Sequence, residues 1–220
     1  MTNASAATAI IPHHVYDGFL GAGRNRELLE YALRRRGEFE PSTLVGGQVD
    51  ASRRISERLL DLGPTRHWFE ATIRNEAADL FARSGVPPFD IEYVELEIAA
   101  HGNGAHFAVH TDIPLGWGRA PAGGDRTGTQ DRLLSAVYYF HRVPAAFSGG
   151  ELRLHRFGSN GAVGDFVDIA PANDRLVVFP SWVSHEVLRV ACPNANFQDY
   201  RFAINCWLCR KLAVARPVPR

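Results

Sequence analysis

The sequence predicts a mainly β protein with helices at its N-terminal end, the strands folding as an antiparallel sandwich or barrel. Three observations point there. An apolar fraction of 45% and a charged fraction of 22% are ordinary globular values, so a core can be built and a disordered or coiled-coil chain is excluded. The N-terminal third carries two segments with apolar residues at helical spacing. From residue 89 onward the pattern changes to short β-rich runs cut by Gly, Pro and Asn with no helical pattern between them, which means strands paired antiparallel.

Taken in order, a small-residue tail precedes a helix over residues 24–36, where Leu28, Leu29, Ala32 and Leu33 share one face. Residues 40–62 contain Pro41, Gly46, Gly47 and the Arg53-Arg54 pair and read as a short extended piece followed by a mobile loop. A second helix is expected over 64–83, its face marked by Phe69, Ile73, Ala77, Leu80 and Phe81. Strands follow at 89–100, 133–141, 151–156, 165–170, 175–179, 186–190 and 200–208, with a Gly- and Arg-rich loop at 116–132.

Charge and composition remove several function classes. Lys plus Arg and Asp plus Glu are both 24, so the chain offers no electrostatic footprint for nucleic acid or an anionic membrane. Lys211 is the sole lysine among those cations, an arginine bias that favours bidentate carboxylate binding but equally fits a biased genome. The three cysteines, Cys192, Cys206 and Cys209, are too few for a disulfide scaffold, and a strand would turn Cys206 and Cys209 to opposite faces, away from a shared zinc or redox site. Residues 1–11 lack a basic start and no eighteen apolar residues run together, so the expected protein is soluble and cytoplasmic.

Candidate chemistry begins at His110 and Asp112, two residues apart at the end of a strand-like run, where imidazole and carboxylate can converge on one point. His185 follows the mouth of another strand. Two histidines and a carboxylate form the facial set that leaves Fe(II) with open positions for a chelating cosubstrate and O2. In a chain with nine histidines the same spacing also arises in ordinary surface loops. The run 200–207 alternates, so Arg201, Ala203, Asn205 and Trp207 share a face. If that face is inward, Arg201 is a buried cation that needs an anion, and a dicarboxylate chelating iron at its other end could supply one; if not, Arg201 is an exposed strand residue.

Five ordered motifs then carry a resemblance: HGNGAHFAVHTD at 101–112, SAVYYF at 135–140, SGGELRL at 148–154, RLVVFPSWVSHEV at 175–187 and RFAINCW at 201–207. Over roughly 92–208 the chain resembles the 2-oxoglutarate and Fe(II)-dependent dioxygenases, in particular their prolyl-4-hydroxylase-like branch, with its double-stranded β-helix or jelly-roll core. The resemblance implies His110, Asp112 and His185 as iron ligands and Arg201 as the clamp on the distal carboxylate of 2-oxoglutarate. It matches Tyr139 to a tyrosine on the same carboxylate and Val187 to an apolar wall beside the cosubstrate. His101 stands where relatives often have tyrosine, either donating to 2-oxoglutarate or only capping the turn. Fe(II), 2-oxoglutarate and O2 are the implied cofactors, with ascorbate a further candidate. The implied reaction hydroxylates an unactivated C–H bond, on a prolyl or other amino-acid side chain of a peptide or protein, or alternatively on a free amino acid or small natural product. Asp112 keeps a hydroxylase-type site, because halogenating relatives place a small residue there. A non-catalytic metal-binding jelly-roll sensor is the rival of another class, and Trp207, where nucleic-acid demethylases of the superfamily carry a second arginine, argues against a nucleic-acid substrate.

The expected layout is one domain over 1–220: a flexible tail at 1–11, helical support at 12–88 and the jelly-roll catalytic core at 89–210. The sixteen residues from His185 to Arg201 exceed the family's usual spacing and are expected to lengthen a hairpin around Cys192. Glu95 and Glu97 share a face with His101, so Glu97 is expected either to touch substrate or to pair with an arginine. Asn205, Trp207 and Arg53 complete the candidate substrate contacts, Asn205 also as a group near the metal, and loops 45–58 and 116–132 are expected to cover the pocket. The protein is expected to be a monomer or homodimer, without nucleic-acid or membrane partners.

Overall fold

In the computed structural model, residues 11–44, 47–113, 131–156 and 165–210 are described. The expected tail, apart from Ile11, lies outside them, as do Gly46 and nearly all of the 116–132 loop. Elements run in the order β1 (His14–Asp17), α1 (Gly21–Arg34), β2 (Glu40–Pro41), β3 (Arg54–Ile55), β4 (Glu57–Leu59), α2 (Gly63–Ser84), β5 (Tyr93–His101), β6 (His106–His110) and β7 (Asp131–Phe140). They continue with β8 (Ser148–Gly149), β9 (Leu152–His155), β10 (Phe166–Ile169), β11 (Arg175–Pro180), β12 (His185–Val187), β13 (Val190–Ala191) and β14 (Arg201–Arg210). Seven strands form one sheet in the order β1-β11-β7-β14-β5-β4-β2, and five form a second in the order β10-β9-β12-β6-β3. All pairs are antiparallel, and the two facing sheets make the jelly roll that the motifs imply.

Strict alternation in the long strands decides what each face of the larger sheet meets. Val94, Leu96, Ile98, Tyr138, Phe202 and Ile204 face α1 and α2, packing on Leu28, Phe69, Ile73 and Leu80. Tyr139, Val177, Phe179 and Ala203 face the smaller sheet and pack on Leu152, Leu154 and Val183. The sheet is thus apolar on both sides at its inner end, and only the stretch of inner face left open can hold polar side chains.

The helices are fixed by different devices. In α2, Pro64 occupies the first turn and Gly85 closes the end at φ 73°, a left-handed cap. The N-terminus of α1 has no capping side chain of its own. Asp174 supplies one from the turn before β11, accepting hydrogen bonds from the Leu20 and Gly21 amides at 2.9 and 3.0 Å. The same carboxylate accepts from the Tyr138 hydroxyl at 2.7 Å, and that oxygen in turn accepts from Asn25 at 2.8 Å.

Three expectations are corrected. Beyond its first residues, 40–62 is not simply a loop, because β3 pairs with β6 in the smaller sheet and β4 with β5 in the larger one, tying the two together. The residues between His185 and Arg201 do not lengthen a hairpin. They cross from β12 in the smaller sheet to β14 in the larger one, pairing on the way as β13 with β8. β1, expected as part of the helical support at 12–88, is an edge strand on β11.

Candidate active site

His185 stands directly opposite His110 in the antiparallel pairing of β12 with β6, so two strands of the smaller sheet bring the imidazoles together. Their ring centroids are 4.2 Å apart. Asp112 lies just past the end of β6, its amide donating to the Ser181 carbonyl at 3.1 Å, which folds the carboxylate back toward both rings. Nε2 of His110 is 3.9 Å from one carboxylate oxygen and Nε2 of His185 is 3.6 Å from the other. One ligand atom from each residue lies within 4.8 Å of the others.

Backbone carbonyls set the tautomers. Nδ1 of His110 lies 2.9 Å from the Ala108 carbonyl and Nδ1 of His185 lies 2.9 Å from the Val183 carbonyl. A carbonyl only accepts, so each Nδ1 carries a proton and each Nε2, on the Asp112 side, is the nitrogen left to ligate a metal. Burial and the adjacent His185 push the His110 imidazole down to about 3, the neutral form a metal requires. Burial raises Asp112, but the two imidazoles and hydrogen bonds from the Ser135 hydroxyl and the Trp207 indole outweigh it and hold the carboxyl below its ordinary value. The Ser135 bond is 2.6 Å long.

These groups lie in a cavity of about 530 Å³, its mouth included, that also reaches Glu97, His101, Val187, Arg201 and Asn205. Arg201 is 1% exposed. Its Nη1 donates to Nδ1 of His101 at 3.1 Å, since a guanidinium has no acceptor, and its carbon lies 4.8 Å from the centre of the Tyr139 ring. Burial, with Arg201 beside it, holds His101 well below the ordinary histidine value. Among the described residues no carboxylate pairs with Arg201. Its Nε is buried without a hydrogen-bond partner there, and the Tyr139 hydroxyl, buried beside the guanidinium, has no partner other than Arg201, a costly arrangement unless a ligand supplies acceptors.

The donor set fits the iron that the sequence implies, with two imidazoles and one carboxylate on one side of the space. The buried Arg201 guanidinium, with the Tyr139 hydroxyl beside it, fits a carboxylate at its far end. Val187 and Leu152 are apolar lining, as expected of a wall. Glu97 is met by both Arg54 and Asn205, and Trp207 lines the mouth under Arg132, whose guanidinium carbon is 3.9 Å from the ring centre. Arg53 is not brought to the cavity; it is exposed, with Nη2 3.5 Å from the Val109 carbonyl, and its neighbour Arg54 turns inward instead. Sequence reasoning missed the roles of Ser135 and Phe107. Alternation with Val137 and Tyr139 was the available signal for Ser135, whereas nothing in the sequence marks the Phe107 ring stacked 3.6 Å from His110.

A jelly roll whose inner face gathers two histidines, a carboxylate and a buried arginine defines a class, the non-haem metal oxygenases of this fold. The sequence profile of the 2OG-Fe(II) oxygenase superfamily matches residues 96–209, and the chain belongs to that family. A curated relative, an uncharacterised PKHD-type hydroxylase of Synechocystis, is 33% identical over 201 residues. That match takes in 88% of this chain but 62% of the relative, so the chain spans under two thirds of the relative's length. Among solved structures, a Pseudomonas putida prolyl-4-hydroxylase superposes with TM-score 0.66 at 24% identity, covering 91% of this chain and 94% of that one. A Trichoplax adhaerens prolyl hydroxylase, solved with a hypoxia inducible factor peptide fragment, gives 0.66 at 20% identity, with 90% and 83% covered. These two likenesses establish the fold. Among the described residues no helix is long and apolar enough to cross a membrane.

Proposed function

We propose that the chain is an Fe(II)- and 2-oxoglutarate-dependent dioxygenase that hydroxylates an unactivated C–H bond, on a prolyl or other amino-acid side chain of a peptide or protein. The observation that carries this is the buried guanidinium of Arg201, its Nε without a hydrogen-bond partner among the described residues, in the same cavity as the His110, Asp112 and His185 cluster and with the Tyr139 ring packed against it. His110, Asp112 and His185 would hold the metal. Arg201 and Tyr139 would hold the distal carboxylate, and Val187 and Leu152 would keep water from the bound cosubstrate. Bound there, Fe(II) with 2-oxoglutarate and O2 supplies an oxidative decarboxylation that releases succinate and CO2 and delivers one oxygen atom to the substrate C–H bond.

The chain's own share is positioning. The Ala108 and Val183 carbonyls hold the imidazoles in the ligating tautomer, Ser135 and Trp207 orient Asp112, and His101 orients Arg201. The structural neighbour solved with a peptide fragment supports a peptidyl substrate, with a free amino acid or natural product as the alternative. The test is calorimetric titration of the Mn(II)-loaded protein with 2-oxoglutarate, then succinate release with Fe(II), with and without ascorbate. Binding that requires metal and is lost in Arg201→Ala supports the proposal; metal binding without any succinate supports a sensor instead.

A further inference from the structure

Beyond the metal cluster and the arginine clamp, the cavity contains a second charged group, built from three strands of both sheets. Arg54 of β3 donates from Nη2 to Oε1 of Glu97 on β5 at 3.1 Å, and Nδ2 of Asn205 on β14 donates to the same oxygen at 2.9 Å. The Arg54 and Glu97 side chains are only 9% and 8% exposed. Arg54 is held from its other side by Ser56, which accepts from Nε at 2.9 Å, and its guanidinium carbon lies 4.7 Å from the centre of the Phe107 ring, itself stacked on His110. Among the described residues, Arg54 Nη1 and Glu97 Oε2 make no hydrogen bond. A spare donor and a spare acceptor are therefore held in one cluster, whose residues line the cavity together with Phe107 and His110.

We infer that the Arg54–Glu97 pair is a substrate subsite that reads a backbone amide next to the target side chain and discriminates against free amino acids. This rests on the hydroxylase reading above. Arg54 and Glu97 neutralise each other, so what they present is one N–H donor and one carboxylate acceptor rather than a net charge. An amide answers both, its carbonyl accepting from Nη1 and its N–H donating to Oε2, and sheds little hydration on entry. A free amino acid would bring an ammonium and a carboxylate, both of which must leave water to meet a pair whose charges already neutralise each other. Bracing the two sheets is the purely structural alternative, and it predicts no effect on substrate choice.

The experiment compares substrate-stimulated succinate release for each of the common L-amino acids, free and blocked as the N-acetyl N-methylamide. The wild-type protein is expected to use its best blocked probe about a hundredfold better, by kcat/KM, than the same free amino acid. Glu97→Gln and Arg54→Lys keep size but spoil the acceptor or the fork, and each should lower that ratio about tenfold. A folding defect scales both probes together and leaves the ratio unchanged. Equal use of blocked and free probes, an unchanged ratio in both variants, or no stimulation by any probe overturns the subsite. If either variant fails to fold, the wild-type ratio decides alone. Failure of the hydroxylase reading is distinct, because then the protein without any probe neither binds 2-oxoglutarate in the presence of metal nor releases succinate.

Discussion

Arg201 has an unusual position for a cation, sealed at 1% exposure with an imidazole nitrogen and the Tyr139 ring against it and, among the described residues, no carboxylate in direct ion-pair contact. A buried charge without a counter-ion costs several kcal/mol, so the free protein carries a strain that a bound dicarboxylate relieves. Two outcomes follow from that imbalance. Arg201→Met should raise the melting temperature of the ligand-free protein and abolish any further rise on adding 2-oxoglutarate with Mn(II). Arg201→Ala should raise KM for 2-oxoglutarate far more than Arg201→Lys, by an amount on the order of 2–5 kcal/mol, since lysine keeps the charge and loses only the fork. An unchanged KM in the alanine variant would move the clamp to another residue. At the metal cluster, His110→Ala, Asp112→Ala and His185→Ala should each end metal-dependent succinate release with the circular dichroism spectrum intact. These side chains line an open cavity, so truncation leaves no void in packed core. Anomalous scattering that placed the metal elsewhere would refute this.

Single elements depend on contacts far apart in the chain, and α1 shows it most directly. Its orphan amides are capped by Asp174, about 150 residues away, at φ 60° in the turn that leads to β11. Asp174→Ala removes that cap and the acceptor of the buried Tyr138 hydroxyl, and should cost about 2–3 kcal/mol in urea unfolding. Hydrogen exchange should quicken first at the N-terminal amides of α1, and equal protection there would contradict the cap. No sequence rule finds such a cap, because the partner is chosen by the fold. The same reason explains what else was illegible. β1 has four residues without clear alternation and exists because β11 offers an edge, while β2, β3 and β4 have two or three residues each. Whether Arg53 or Arg54 faces the cavity depends on the register of β3 against β6, which no local pattern sets. The long strands β5, β7 and β14 were legible, since nine or ten residues of alternation fix two faces at once. That alternation alone puts Glu97, Tyr139, Arg201 and Asn205 on one side of the sheet, and the strand-end placing of His110, Asp112 and His185 does the rest.

For the whole molecule, the buried imidazole that accepts from Arg201 ties stability to pH. His101 is neutral in the fold, because Nδ1 is occupied by an arginine N–H, and burial and Arg201 hold it well below the ordinary value. In the unfolded chain it titrates near 6.5. As pH falls below 6.5 the unfolded state therefore binds the proton first, and folding stability drops by about 1.4 kcal/mol per pH unit until the folded imidazole itself titrates. Above 6.5 His101 contributes no slope. A second group of carboxyls, among them Asp17 beside Arg175 and Asp168 beside Arg153, is held below the ordinary range. Their contribution is complete above about pH 4 and is lost as pH falls through their lowered values, so it steepens the acid limb only there. At the alkaline end, Tyr138 and Cys206 are raised by burial, so the unfolded chain loses those protons first and stability declines above about pH 9. Urea unfolding between pH 4.5 and 8 should thus show a plateau that bends down below about 6.5. His110 and His141, also held low by burial, add slope in the same window, so in His101→Asn, which keeps an acceptor for Arg201 but cannot titrate, the fall below about 6.5 should become shallower by about 1.4 kcal/mol per pH unit while the carboxyl-driven fall near pH 4 remains. If His101→Asn shows the same slope as the parent between pH 5 and 6.5, another group carries the proton linkage and the neutral imidazole at Arg201 is not its source.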